Sequence, residues 1–184
     1  MIHEAQPPVG FPPPGPIGQV IVKTYPACRA ATVAATDVKG RSQDGMFQPL
    51  FDHIQKEKIS MTAPIQMDFA RADGAAASSQ PSPGPPISMS FLYGRPRIGN
   101  TGKDGIVLVT DLPPVTVLSV GMRGSYDAEH FDKGLKSIRD WLRTHPNTYV
   151  VVGTPRFLGY NSPFVPSFFR YGEVQLPVSP VGPK

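Results

Sequence analysis

The order strand, amphipathic helix, strand, strand can be read twice along this chain, and that repetition constrains its fold more than any other feature. In the first pass, Val20 and Val22 alternate with polar neighbours. The stretch onward to Thr36 is rich in strand-forming residues, with a bend at Tyr25-Pro26. A helix follows over residues 44–57, because Phe47, Leu50, Phe51 and Ile54 keep the i, i+3, i+4, i+7 spacing of one helical face. Pro49 falls in its first turns, where a missing N–H is tolerated. Residues 59–69 then alternate, with Ile59, Met61, Ala63, Ile65, Met67 and Phe69 on one side. This reads as a half-buried strand interrupted at Pro64. Residues 87–93 return as its partner in a hairpin with a long tip.

The second pass repeats the order. Residues 115–122 read as a strand and residues 125–127 as a helix N-cap. A helix over residues 128–144 carries Phe131, Leu135, Ile138 and Leu142 along one stripe. Strands follow over residues 149–158 and 168–178. The halves share topology without detectable sequence similarity. The prediction is an α+β fold: a pseudo-two-fold repeat of β-α-β-β, forming a distorted β-barrel or curved antiparallel sheet flanked by two helices.

Composition sets the domain limits. Residues 1–16 hold six prolines and two glycines, and residues 70–86 are small, polar and proline-rich. Neither has the apolar surface to offset the entropy of ordering. The expected organisation is a disordered tail (1–16), one folded domain (17–179) with a flexible loop at 70–86, and a short C-terminal tail (180–184). The foldable part, roughly 145 residues, is large enough to bury about two-thirds of its unfolded surface.

The net charge of +4 is modest, and the basic residues are scattered. Arg95, Arg97 and Lys103 come nearest to a cluster and lie in turn-rich sequence, so no nucleic-acid partner is expected. The lone cysteine, Cys28, excludes an internal disulfide. No run approaches the length of a membrane span, and the first residues lack a signal-like apolar run. A cytoplasmic protein is expected.

Catalytic constellations are thin. The sequence has no G-x-S-x-G, and Asp127 and Glu129 suit a helix first turn. Glu173 beside Arg170 reads as a sheet ion pair, and the run from Gly99 to Gly105 as a turn. The protein is therefore expected not to be an enzyme, the alternative being a hydrolase acting on a hydrophobic small molecule. Met61, Met67 and Met89 fall on the predicted hairpin, as core filling or as a soft surface for a flat ligand. His53 lies about 110° from the helix stripe, at the border of its buried face. Residues 155–176 crowd six aromatic rings around Pro163 and Pro166, as if packed over a core, a mate or a ligand.

Two segments together resemble the SOUL haem-binding protein family. One is FQPLFDHIQKEKISMTAPIQMDF, from Phe47 to Phe69; the other is GYNSPFVPSFFRYGEV, from Gly159 to Val174. The strand VIVKTYPACRAATV, from Val20 to Val33, agrees in position. The resemblance implies a two-fold β-α-β-β fold and non-covalent binding of haem or a related tetrapyrrole in an apolar groove. On that basis the ligand surface would comprise Met61, Ile65 and Met67 with Leu50 and Ile54, and His53 would be the candidate axial ligand. The alternative is a small-molecule effector-binding module of the gyrase-inhibitor-like fold, which takes an amphipathic compound in a central groove and does not bind haem. A buried acid such as Glu173 with aromatic walls would favour that alternative.

Overall fold

The computed structural model describes residues 5–39, 43–70, 84–162 and 164–182. The predicted flexible loop lies largely outside the described residues. Strands β1 (Val20–Tyr25) and β2 (Cys28–Ala34) precede helix α1 (Gln43–Lys56), then β3 (Ile65–Asp68) and β4 (Ser88–Leu92). A hairpin of β5 (Gly102–Asp104) and β6 (Val107–Leu112) leads to β7 (Val115–Arg123) and helix α2 (Ala128–Thr144). Strands β8 (Tyr149–Val151), β9 (Arg156–Gly159) and β10 (Tyr171–Pro180) complete the chain.

The strands form one antiparallel sheet in the order β1-β7-β10-β9-β3-β4-β2-β6-β5, with β8 beside β10. The sheet is open, so of the two predicted forms the curved sheet stands and the barrel does not. The pseudo-two-fold is visible in the order itself. The first half runs β3-β4-β2 and the second β9-β10-β7, meeting where β3 pairs with β9. Each half is completed by a strand from the other: β6 edges the first and β1 the second.

That exchange corrects the reading of residues 20–36 as one bent strand. Tyr25-Pro26 ends β1, and the chain crosses from one half to the other before β2 begins. Pro113-Pro114 makes the return crossing between β6 and β7. Proline cannot donate to a ladder, so both crossings are places where pairing stops. The predicted strand at 59–69 shortens to Ile65–Asp68 for the same reason at Pro64. Likewise the strand at 149–158 divides around Gly153-Pro155, and residues Ser167–Phe169 form a 3-10 turn rather than strand. The turn expected between Gly99 and Gly105 is partly a strand, β5, with Gly105 at φ 61° turning it into β6.

Register decides which side chains share a face. Val120, Val174, Phe157, Met67, Met89 and Val33 are successive cross-strand partners over six strands. They belong to one apolar core with Met46, Leu50 and Ile54 of α1 and Phe131, Leu135 and Ile138 of α2. Both helices therefore cover the same face. One residue along, the same register lines up Gly121, Glu173, Leu158, Gln66, Ser90 and Thr32 on the opposite face.

Helix α2 begins at Asp127, whose side chain accepts from the His130 N–H, and it approaches the sheet closely at Gly134. A Cβ there would lie 2.6 Å from Val174 Cγ2 and 2.7 Å from Met122 Sδ. Gly134→Val is accordingly expected to destabilise the fold by about 1–3 kcal/mol, and so to lower the Tm by several degrees. An unchanged Tm would mean that α2 sits farther from β10 than described.

Candidate functional site

The face away from the helices is not a plain solvent surface. Glu173, Gln175, Ser119 and Ser90 are buried there at 2% exposure or less, with Lys23, Gln66 and Arg156 nearly so. Their cover includes the N-terminal segment. Residues 5–18 run across this face, bonded by the Ala63 N–H to Gln6 O, the Val9 N–H to Gly94 O and the Gly121 N–H to Pro16 O. The proline-rich segment expected to be a disordered tail is thus, over its described residues, a strap seated on the sheet. Phe11 packs edge-on against Tyr25 with ring centroids 5.0 Å apart. A Cβ on Gly121 would lie 2.6 Å from Pro16 O and 2.6 Å from the Tyr171 hydroxyl, so the seat needs glycine at that point.

Beneath the strap, Glu173 is saturated with donors. Its Oε1 accepts from Gly15 N–H (2.6 Å) and Lys23 Nζ (2.9 Å), and lies 3.0 Å from the Tyr171 hydroxyl, whose one proton is shared with the nearer Gly15 O at 2.6 Å. Its Oε2 accepts from Lys23 Nζ (2.9 Å), Ser119 Oγ (2.9 Å) and Gln175 Nε2 (2.8 Å). Burial pushes the carboxyl pKa up, but the Lys23 charge and this ring of donors outweigh it and hold the group below its ordinary 4.5. Lys23 is itself lowered by burial, against the attraction of Glu173. Burial and then the Glu173 charge raise Tyr25, Tyr160 and Tyr171, so all three stay protonated. Glu173 is therefore paired with Lys23 and not with Arg170, whose Nε reaches Val165 O.

Arg156 lies beside this cluster. Its Nε donates to Gln175 Oε1 (2.9 Å) and its Nη1 to Gln66 Oε1 (3.2 Å), while the guanidinium sits 5.2 Å from the Tyr25 ring centroid. A partly open cavity of about 210 Å³ lies here, between the two proline crossings.

A second cavity, of about 220 Å³, opens at the end of α1 beside His53, Tyr93 and Asp104. His53 is buried rather than at a border, and both ring nitrogens are engaged: Nδ1 with Asp104 Oδ2 (2.8 Å) and Nε2 with the Tyr93 hydroxyl (2.9 Å). Since a carboxylate only accepts, Nδ1 carries the proton, and in the neutral ring Nε2 accepts from Tyr93. Burial, with Glu57 and Asp104 nearby, pushes the Tyr93 hydroxyl up to about 12. Lys56 also bonds Asp104, and it and then His53 hold that carboxylate below its usual range.

The residues expected to hold a tetrapyrrole are scattered by this geometry. Leu50, Ile54 and Met67 are buried in the core under the helices. Ile65 is half-buried and Met61 is 37% exposed. His53 has no free nitrogen to offer iron. Of the six, Met61 and Ile65 are the ones that reach the surface. Among the described residues no group of three His, Cys, Asp or Glu could hold a metal ion, and no helix is long and apolar enough to cross a membrane. The aromatic segment divides: Phe157, Tyr160 and Tyr171 are buried, while Phe164, Phe168 and Phe169 are exposed. Of the central cluster, the sequence singled out Glu173 alone; Lys23 and Tyr25 carried no local signal, because strand exchange brings β1 to the second half, and Arg156 meets the cluster only through the pairing of β9 with β10.

An open antiparallel sheet with both helices on one face and a buried polar cluster on the other defines an α+β module of two fused β-α-β-β halves. The chain belongs to the SOUL heme-binding protein family, whose model matches residues 18–177. The C-terminal domain of EcmrR is similar in structure, at 17% identity over 89% of this chain and 98% of that one, with a TM-score of 0.64. An uncharacterized conserved protein from Listeria innocua matches at 10% identity over 89% and 94%, TM-score 0.61. A hydrolase from the same organism matches at 10% identity over 90% and 94%, TM-score 0.58. At these identities the likeness shows the fold alone. No curated protein sequence matches the chain.

The folded Glu173 carboxyl lies below its unfolded value, so its contribution to stability is present above about pH 4.5 and is lost as pH falls through the folded pKa. Glu173→Gln would leave Lys23 buried without its partner, at a cost of about 3–5 kcal/mol. Urea unfolding at pH 7 and at pH 4 is expected to show that loss at pH 7 and a smaller difference at pH 4. Equal losses at both pH values would contradict the assignment of the acid limb to Glu173.

Proposed function

We propose that this protein is a non-catalytic binding module for an amphipathic, ring-bearing small molecule, held on the helix-free face of the sheet under the N-terminal strap. The observation that carries this reading is Glu173, fully buried at the middle of that face and reached from the strap side by a single donor, the Gly15 N–H. Pro12, Pro13, Pro14 and Pro16 have no N–H, so Gly15 is the one backbone donor between Phe11 and Ile17. When the strap lifts, Oε1 loses that donor and the Tyr171 hydroxyl loses its acceptor, Gly15 O. A ligand with a donor and an acceptor at matching spacing would replace the strap backbone, and Tyr25 and Tyr171 would supply its aromatic walls. Glu173 is not free to act as a general base, because both of its oxygens are occupied by donors. That supports binding over hydrolysis.

Haem is the second reading, favoured by the family match. It would lie on the surface near Met61 and Ile65 without an iron bond from His53, unless the Tyr93 hydroxyl moved away from Nε2. The amphipathic groove, the effector-binding alternative and the tetrapyrrole are thus separated by where the ligand sits.

Two titrations test the proposal. Anilinonaphthalene sulfonate, an amphipathic two-ring probe, is expected to bind one saturable site, several-fold more tightly in Gly15→Pro, which loses the strap's bond to Glu173. Unchanged fluorescence in both proteins would remove the strap-covered site. Hemin followed by absorbance is expected to give the same spectrum in wild type and His53→Ala; loss of the spectral change in the variant would establish His53 as the iron ligand and favour the second reading.

A further inference from the structure

The cavity between the proline crossings has a property that the Glu173 cluster does not explain. Phe11, Tyr25, Leu92, Leu112 and Leu158 wall it, and Arg156 stands among them. Arg156 is 9% exposed, and among the described residues no carboxylate is hydrogen-bonded to it directly. Its Nε and Nη1 are bonded to two neutral amides, and its Nη2 has no acceptor among the described residues. Burial lowers its pKa, yet a guanidinium stays charged. Of the acids nearby, Glu173 pairs with Lys23, and Asp68, the cross-strand partner of Arg156, is joined to it through Gln66, whose Nε2 donates to Asp68 Oδ1 (3.0 Å).

A buried guanidinium held to its counter-ion only through an amide is costly, and an apolar residue of similar length would fill the same space without that cost. The two amides fix the guanidinium by accepting from two of its nitrogens, and Tyr25 faces it. Nη2 is thereby left without an acceptor among the described residues, on a side chain that lines a largely apolar chamber. Such an arrangement suits an anion attached to something apolar.

We propose that this chamber binds a small monocarboxylate bearing a single ring or a short branched chain, its carboxylate on Arg156 and its apolar part against Phe11, Leu92, Leu112 and Leu158. The size agrees. A dry cavity of about 150 Å³ takes benzene, and this one, at about 210 Å³, has room for a ring and a carboxylate. The Tyr25 ring is faced by Lys23 Nζ at 5.4 Å as well as by Arg156, and of these two cations only Lys23 is in direct contact with an acid. Phe11 belongs to the strap, so the chamber is walled on one side by the segment that also covers Glu173. This inference rests on reading the helix-free face as the ligand face, and it adds the ligand's charge and size.

Calorimetric titration of the full-length protein with benzoate, benzamide and benzylamine tests it. Benzoate is expected to bind one saturable site at least roughly tenfold more tightly than its neutral and cationic analogues, the difference a charge-assisted hydrogen bond provides. Arg156→Gln is expected to reduce benzoate to the benzamide level. Leu112→Trp fills the chamber with Arg156 intact and is expected to abolish benzoate binding, which decides the matter even where Arg156→Gln does not fold. Cys28 also lines the chamber, so benzoate is expected to slow its reaction with a disulfide reagent. Equal affinities for benzoate and benzamide, or benzoate binding retained in Leu112→Trp, would overturn the proposal. So would the absence of benzoate binding up to roughly 10 mM in a protein that binds anilinonaphthalene sulfonate, and that result would leave the broader function standing. If neither ligand binds, both readings fall.

Discussion

Glu173 cannot be buried alone, and much of the architecture follows from that. A carboxylate taken out of water requires a cation and donors on every lone pair. The cation, Lys23, comes from β1, a strand that precedes the first half in sequence yet pairs with β7 of the second. The remaining donors come from β7, β10 and the N-terminal strap. Strand exchange between the halves and neutralisation of the acid are therefore one event, and closure of the strap adds a backbone donor to the paired acid.

The sheet separates two kinds of interior. On the helix side the cross-strand partners are apolar and pack on Met46, Leu50, Ile54, Phe131, Leu135 and Ile138. On the other side the partners are polar and cross-linked, with Gln175 joined to Arg156, Tyr25, Ser119 and Glu173. A polar layer of this kind stabilises less per residue than the apolar core, but it fixes side-chain orientation, because each amide has one arrangement that satisfies its donors and acceptors. Arg156 is oriented by those amides, and the chamber beside it inherits its chemistry from them.

The helices were legible in the sequence because their apolar spacing is local. Phe131, Leu135 and Ile138 announce α2 without reference to anything else, and the structure gives it the bounds read from that spacing. The hairpin of β3 with β4 was legible through the alternation from Ile65 to Phe69, and the pseudo-two-fold through the repeated order of elements. The strand exchange and the site were not. Lys23 and Glu173 are 150 residues apart, and no periodicity links them. His53 read as a border residue because a helical wheel does not include the β5 loop that brings Asp104 to it. Met67 was readable as pocket or core, and pairing with Met89 and Phe157 under the helices makes it core. The seat of the strap was not legible for a physical reason: its prolines bury little apolar surface, but they also leave little backbone freedom to lose on docking.

The spacing of prolines around Gly15 has a consequence for how strap movement can be observed. With residues 12, 13, 14 and 16 lacking amide protons, Gly15 contributes an isolated exchangeable hydrogen in that stretch, and in the closed arrangement it is sequestered on Glu173. The rate at which that one hydrogen trades with deuterium is therefore a direct clock for strap opening, free of overlap from neighbouring amides.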